Sequence, residues 1–248
     1  MIVIPMAGLS SRFFNAGYTK PKYMLQAAGL PLFDYAVVSF RHYFEKELFL
    51  FIVRDIDNTV EFIKERVGFL GIKKYKVVVL SHETRGQAET VAKGLQEYNN
   101  SSTPITIFNI DTFRPNFIYP KLESLGDGYL EVFIGEGDNW SFVRPIENIS
   151  TKIDLTTEKK PISDYCCTGL YYFKSCIDYF ESYNNYLTKP TTDWEKGELY
   201  IAPLYNYLIK KGKNIHYNLI DRTDVVFCGT PDEYTQFLVS QEQGLENV

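Results

Sequence analysis

Basic residues are too few in this chain for a protein that binds nucleic acid. Lysine and arginine together number 26 against 31 aspartates and glutamates, which leaves a formal net charge of −5 at pH 7. A nucleic-acid-binding domain needs a basic face, so the composition argues against that class of partner. An anionic substrate would have to be bound by a few local lysines and arginines.

Cysteine and histidine are also scarce, with 4 and 3 copies. The cysteines form no paired C-x-x-C motif and the histidines show no metal or Ser-His-Asp spacing, so neither a zinc site nor a nucleophilic triad is expected. No apolar run is long enough to span a membrane, and the N-terminus lacks the basic stretch of a signal peptide. We therefore expect a cytoplasmic protein with reduced thiols and no membrane partner.

Apolar runs and helical patterns alternate in the first half of the chain. This rhythm predicts an α/β fold with a Rossmann-like, doubly wound mixed sheet, whose ligands bind at the carboxyl ends of the strands. The second half is less regular, but no repeat or low-complexity linker separates it from the first. The predicted strands cover residues 1–5, 47–53, 76–80, 104–111, 129–135, 141–145, 167–173 and 225–228, and the predicted helices cover residues 59–67, 87–98, 200–211 and 231–241.

The loop after the first strand is the most informative segment. Residues 7–12 read A-G-L-S-S-R, and residues 21–25 read P-K-Y-M-L. Small residues let backbone N–H groups approach phosphate oxygens, while Arg12 and Lys22 can neutralise charge. The loop has neither the Walker A spacing nor the G-x-G-x-x-G pattern, so it predicts a phosphate site of another kind.

These two segments resemble the signature of the sugar-phosphate nucleotidyltransferases, also called nucleoside-diphosphate-sugar pyrophosphorylases. The resemblance implies transfer of NMP from an NTP to a phosphate monoester, with release of pyrophosphate. It gives catalytic roles to Arg12 and Lys22, and it implies one domain over residues 1–248, with a nucleotide-binding half to about residue 125 and a small acceptor-binding lobe after it. The residues expected to contact the nucleotide are Ala7, Gly8, Leu9, Ser10, Ser11, Gly86, Gln87 and Asn109.

The fourth predicted strand ends with a carboxylate at Asp111, where the family places a magnesium ligand. Mg²⁺ takes few protein carboxylates and uses phosphate oxygens for the rest of its shell. The alternative is an aspartate that only caps a turn. The family's usual second metal ligand falls on Phe227, and the nearest acid, Asp224, has the opposite strand parity and would serve only if the strand has a bulge.

Segments of the second half resemble the family's acceptor contacts. The E-K pair at residues 158–159 and the strand around Gly169 match the segments that hold the sugar phosphate, although Lys160 leaves the register open by one residue. A solvated charge run is the alternative for the E-K pair. The residues expected to contact the acceptor are Glu158, Lys159, Gly169, Glu198 and Trp140.

The acceptor and the base are left open by the sequence. A sugar 1-phosphate, for capsule or surface-glycan precursors, is the family default. The chain length also fits the cytidylyltransferases for non-sugar phosphates such as phosphocholine or phosphoamino compounds, which slightly favours CTP. A nucleotide-sugar-dependent glycosyltransferase and a non-catalytic nucleotide-sugar-binding subunit are the alternatives of another class. Exposed aromatic residues could support a homodimer.

Replacement of Lys22 by alanine tests the signature. We expect Lys22→Ala to lower kcat by orders of magnitude with the fold intact, because a charge that neutralises the reacting phosphates is lost. Steady-state turnover and circular dichroism of the purified variant measure both effects. Near-normal turnover would show that the assignment is wrong.

Overall fold

A mixed sheet of nine strands forms the centre of the molecule in the computed structural model, which describes residues 1–146 and 150–245. The strands of the described residues are β1 (Ile2–Pro5), β2 (Gln26–Ala27), β3 (Leu30–Pro31), β4 (Phe49–Val53), β5 (Tyr75–Val79), β6 (Ile105–Phe108), β7 (Thr112–Phe113), β8 (Gly128–Ile134), β9 (Ser141–Pro145), β10 (Ile153–Glu158), β11 (Tyr165–Phe173), β12 (Ile215–Leu219) and β13 (Val226–Phe227). Of these, β2 pairs with β3 and β7 pairs with β13 outside the central sheet. The helices are α1 (Ser11–Asn15), α2 (Leu32–Val38), α3 (Thr59–Leu70), α4 (Gln87–Gly94), α5 (Cys176–Leu187), α6 (Tyr205–Lys210) and α7 (Pro231–Leu245).

The parallel part of the sheet has the order β5-β4-β1-β6, so the chain moves outward from β1 on one side and returns to its other side with β6. Strand β11 then pairs antiparallel with β6, and also with β8 and β9. The reversal of strand order lies between β1 and β6. In a doubly wound sheet, the crevice at the carboxyl ends of such a strand pair is the place for a ligand.

Alternate side chains of the central strands belong to two different hydrophobic cores. On β4, Phe49 and Phe51 join the core that contains α2 and α3, while Leu50 and Ile52 join the core that contains α4 and α5. Burial on both faces explains why this strand is a continuous apolar run. The predicted α/β fold with a Rossmann-like mixed sheet is confirmed by this architecture.

Several elements differ from the sequence prediction. The prediction did not include α2, α5, β10 and β12, or the short β2–β3 hairpin. Strand β6 ends at Phe108, three residues earlier than predicted, because Thr112 donates its backbone N–H to the Asn109 carbonyl and closes a turn. The predicted helix over residues 200–211 begins as the 3₁₀ turn Ala202–Leu204 before α6.

Strand β11 is irregular where it crosses the middle of the sheet. Its register with β8 shifts between Cys167 and Tyr171. Gly169, inside this bulge, has a φ of +96°, a value that side chains rarely adopt. A β-carbon there would also lie 2.5 Å from Nδ2 of the Asn109 side chain. The bulge therefore brings the β11 backbone close to the end of β6.

The four cysteines are buried free thiols. Burial raises the pKa of Cys166 and Cys176 to about 11 and that of Cys228 to about 12. These thiols are therefore poor nucleophiles near neutral pH. Among the described helices, none combines the length and apolar character needed to cross a membrane.

A buried ion pair joins α2 to α3. Asp34 is 2% exposed and accepts a hydrogen bond of 2.9 Å from Nε of Arg66 and a second from Nη2. We expect Asp34→Ala to lower the free energy of unfolding by about 3 kcal/mol, because the guanidinium would stay in place without its partner. Chemical denaturation measures the change. Glu61→Ala, which breaks the exposed pair with Lys64, is the control and should change stability far less.

Candidate active site

Two adjoining cavities open at the carboxyl ends of β1 and β6. The first measures about 560 Å³ and the second about 450 Å³. Gln87, Asn109 and Asp111 line both cavities, so these side chains form the boundary between them. Groups bound in the two cavities would face each other across this boundary.

The loop after β1 joins the two segments of the N-terminal signature. Ser10 has a left-handed backbone with φ of 52°. Its Oγ accepts a hydrogen bond of 3.2 Å from the backbone N–H of Lys22. Residues 6–11 line the first cavity, and Lys22 enters it from the 3₁₀ turn Lys22–Met24. This hydrogen bond thus holds together two segments that are separated in the sequence.

Lys22 and Asp111 form an ion pair at the centre of the site. Nζ of Lys22 lies 2.5 Å from Oδ2 of Asp111, and each side chain is 23% exposed. Burial favours the protonated carboxyl, but the charge and hydrogen bond of Lys22, with a smaller contribution from Arg12, lower the pKa of Asp111 below its usual value. Asp111 is therefore an anion at neutral pH.

The loop that leads into α4, around Gly86, lies against an extended segment of the second half around Leu199. The backbone N–H of Leu199 donates to the Arg85 carbonyl, and the N–H of Ala88 donates to the Leu199 carbonyl, each at 2.8 Å. Gly86, between them, has φ of +139°, and a β-carbon there would lie 2.5 Å from the Leu199 backbone. The close approach shapes one end of the first cavity and requires glycine.

Charged side chains at the end of β10 and just after it line the second cavity. Glu158 is buried, and burial raises its pKa, although Ser141 donates a hydrogen bond to it and Lys159 adds a positive charge. Lys159 has a left-handed backbone. Its Nζ lies 4.3 Å from the ring centroid of Tyr200 and donates a hydrogen bond to the hydroxyl of the same tyrosine. The cavity thus offers both a fixed cation and a buried carboxyl.

An aromatic wall, made of Trp140 and Phe227, closes another side of the second cavity. The two ring centroids are 4.7 Å apart, and Phe133 packs behind both. The guanidinium of Arg222 stacks over Phe227 at 5.0 Å. Both wall residues are only half-buried, so they leave apolar surface available to a ligand.

A solved structure with high similarity identifies the family. The crystal structure of the nucleoside-diphosphate-sugar pyrophosphorylase from Vibrio cholerae RC9 is 58% identical in sequence, with a TM-score of 0.91 over 96% of this chain and 99% of that one. The chain belongs to the nucleoside-diphosphate-sugar pyrophosphorylase family. It is therefore a nucleotidyltransferase, as the N-terminal signature predicts.

More distant pyrophosphorylases and transferases share the fold. The inositol-1-phosphate CTP transferase from T. maritima is 15% identical, with a TM-score of 0.71 over 97% of this chain and 94% of that one. The UTP-bound UGPase from Acinetobacter baumannii is 16% identical, with a TM-score of 0.70 over 99% and 93%. No protein-family model and no curated protein matches the sequence.

The predicted site residues divide between the two cavities of this nucleotidyltransferase. Lining the first cavity are Ala7, Gly8, Leu9, Ser10, Ser11, Lys22, Gly86 and Glu198, and lining the second are Arg12, Trp140, Glu158, Lys159 and Gly169. Glu198, a predicted acceptor contact, lines the first cavity together with the loop at residues 7–11, whereas Arg12, a predicted catalytic residue, lines the second. The roles of both residues stay predictions.

Asp224 lies apart from these residues. It is exposed at the end of the 3₁₀ turn Arg222–Asp224 and lines neither cavity. The strand after it pairs Phe227 with Thr112, the residue next to Asp111. The aromatic ring, and not the carboxylate of Asp224, is thereby brought to the edge of the site.

Sequence reasoning missed Glu233, which lines the second cavity. Its Oε2 accepts from the backbone N–H groups of Gly229 and Thr230, and Oγ1 of Thr230 accepts from the N–H of Glu233. The signal was present in the T-P-D-E segment, because Ser or Thr followed three residues later by Glu is a capping box at a helix start.

Gly86→Ala tests the close approach of the two segments. We expect the KM for the nucleoside triphosphate to rise about tenfold, because the new methyl group must displace the Leu199 backbone and with it one end of the first cavity. Initial-rate kinetics measure the KM. Gly212→Ala is the control, since Gly212 also has a positive φ of +79° but open space around it. An equal effect of both variants would exclude this explanation.

Proposed function

We propose that the protein transfers NMP from an NTP to a small phosphate monoester and releases pyrophosphate. The observation that carries the proposal is the meeting of the two cavities at Asp111, whose carboxylate is paired with Lys22 of the first cavity. Transfer of this kind needs an acceptor phosphate held in line with the α-phosphorus, together with charge stabilisation. Two cavities that share a charged boundary provide that arrangement.

The first cavity is proposed to bind the triphosphate. Backbone N–H groups of the loop at residues 7–11 would contact its phosphates, and the segment at Gly86 would face the base. Lys22 lies in the first cavity beside the boundary residue Asp111, where the α-phosphate would sit, and its cation would stabilise the charge that develops there. Arg12 and Lys159 would bind the acceptor phosphate from the second cavity.

Mg²⁺ is proposed as the cofactor, and the residues present fit it. Within residues 1–146 and 150–245, no cluster of three or more His, Cys, Asp or Glu side chains could hold a metal alone. Mg²⁺ does not need one, because one or two carboxylates and substrate phosphates complete its shell. A β-carbon at Gly229 would lie 3.1 Å from Oδ2 of Asp111 and 3.5 Å from Oε2 of Glu233, so glycine keeps space open beside Asp111. Bound there, Mg²⁺ would neutralise phosphate charge.

The acceptor is proposed to be a sugar 1-phosphate, with a non-sugar phosphate as the second candidate. The aromatic wall offers an apolar face, and Glu158 offers a hydrogen-bond acceptor for a hydroxyl or amine. A role in capsule or surface-glycan precursor synthesis, and a homodimer, stay predictions. CTP is proposed as the first donor to test, since one fold neighbour is described as a CTP transferase.

Release of pyrophosphate with Mg²⁺ tests the proposal directly. CTP, UTP, dTTP, ATP and GTP would each be combined with a panel of sugar 1-phosphates and non-sugar phosphates. We expect one pair to give an acceptor-dependent signal, and the same pair to fail with Asp111→Asn, because the carboxylate charge is lost. Release of nucleoside diphosphate from a nucleotide sugar would instead favour a glycosyltransferase. Failure of every Mg²⁺–triphosphate complex to bind in a thermal-shift assay would favour a non-catalytic subunit, whereas binding without turnover would point to an acceptor outside the panel.

A further inference from the structure

A buried ion pair lies behind the second cavity without lining it. Glu131, on β8, is fully buried and Arg114, which follows β7, is 8% exposed. The guanidinium donates through Nε to Oε1 of Glu131 at 2.8 Å and through Nη2 to Oε2 at 3.1 Å. A charged group is rarely kept in a strand interior unless it is paired in this way.

The pair is connected to three of the backbone segments that form the second cavity, namely β7, the β11 bulge and the segment that leads into β13. Oε1 of Glu131 also accepts a hydrogen bond of 3.1 Å from Oγ1 of Thr168, inside the β11 bulge. Nη1 of Arg114 donates at 2.7 Å to the carbonyl of Asp224, three residues before Phe227. Arg114 itself continues the strand that begins beside Asp111.

Further bonds connect the same segments to one another. Oγ1 of Thr112 donates to the Thr168 carbonyl at 3.1 Å, and the N–H of Cys228 donates to the Asp111 carbonyl at 2.8 Å. The bulge, β7 and β13 are thus fixed to one charged pair. A shift of any of these segments would move a cavity-lining group such as Phe227.

We infer that Arg114 and Glu131 are positioning residues, which set the separation between the aromatic wall at Phe227 and the bulge at Thr168 and so shape the acceptor site. The inference rests on the proposed assignment of the second cavity to the acceptor. The pair between Arg66 and Asp34 is a suitable comparison, because it is also bidentate but joins α2 to α3, and neither helix lines either cavity.

Kinetics of matched variants test the inference. Glu131→Gln keeps the size of the side chain but removes the charge that holds the guanidinium. We expect it to raise the acceptor KM about tenfold or more, with the triphosphate KM within about twofold of wild type, since small displacements of a positioning group weaken only the site it shapes. Asp34→Asn, the control, should leave both KM values unchanged.

A spectroscopic readout separates this inference from the proposed function. The chain has 2 tryptophans, so in a Trp194→Phe background the tryptophan fluorescence, excited selectively over tyrosine, reports on Trp140 in the aromatic wall alone. Glu131→Gln should shift this emission and Asp34→Asn should not. If no acceptor is turned over by the wild type, the proposed function fails, while the emission still tests the positioning role.

A double variant covers the case in which Glu131→Gln does not fold. Arg114→Met with Glu131→Leu leaves no unpaired charge, and apolar replacement of a buried pair often keeps the fold. It removes the contacts to Thr168 and Asp224, so it should show the same higher acceptor KM and shifted Trp140 emission. Wild-type values for both in the double variant, or equal changes in Asp34→Asn, would overturn the inference.

Discussion

The ion pair between Lys22 and Asp111 is the contact around which the site is arranged. The two residues are 89 positions apart in sequence and meet because β1 and β6 are adjacent parallel strands. Parallel neighbours place their carboxyl ends at the same edge of the sheet, so the loop after each strand reaches the other. The loops that line the first cavity lie on one side of this pair, and the antiparallel half of the chain completes the second cavity on the other.

The first half of the chain was predictable because its information is local. Buried parallel strands are continuous apolar runs, and each is followed by a polar loop at the edge where ligands bind. Lys22 and Asp111 could therefore be placed at one edge of the sheet from the sequence alone. The contact of Ser10 with Lys22 could not, because it depends on a left-handed backbone at Ser10.

The second half was harder to predict because its elements lack local signals. Helix α5 contains three tyrosines and two asparagines, residues of low helix propensity, and is stabilised by packing against the sheet. Strand β10 carries mostly polar residues. One signal was overlooked: Glu131 stands inside an otherwise apolar strand run, and a charge there requires a buried partner. The identity of that partner, Arg114, depends on tertiary structure.

The phenylalanine at position 227 changes the electrostatics of the site. In the family pattern a second carboxylate stands there, whereas here β13 presents an aromatic ring opposite Thr112. The carboxylate of Glu233 is held by two backbone N–H groups at a helix start, which disperses part of its charge. The field beside Asp111 is consequently less negative than two free carboxylates would make it. Under the proposed assignment of the second cavity, an anionic acceptor phosphate would meet less repulsion there, and its organic part would meet the half-buried aromatic wall.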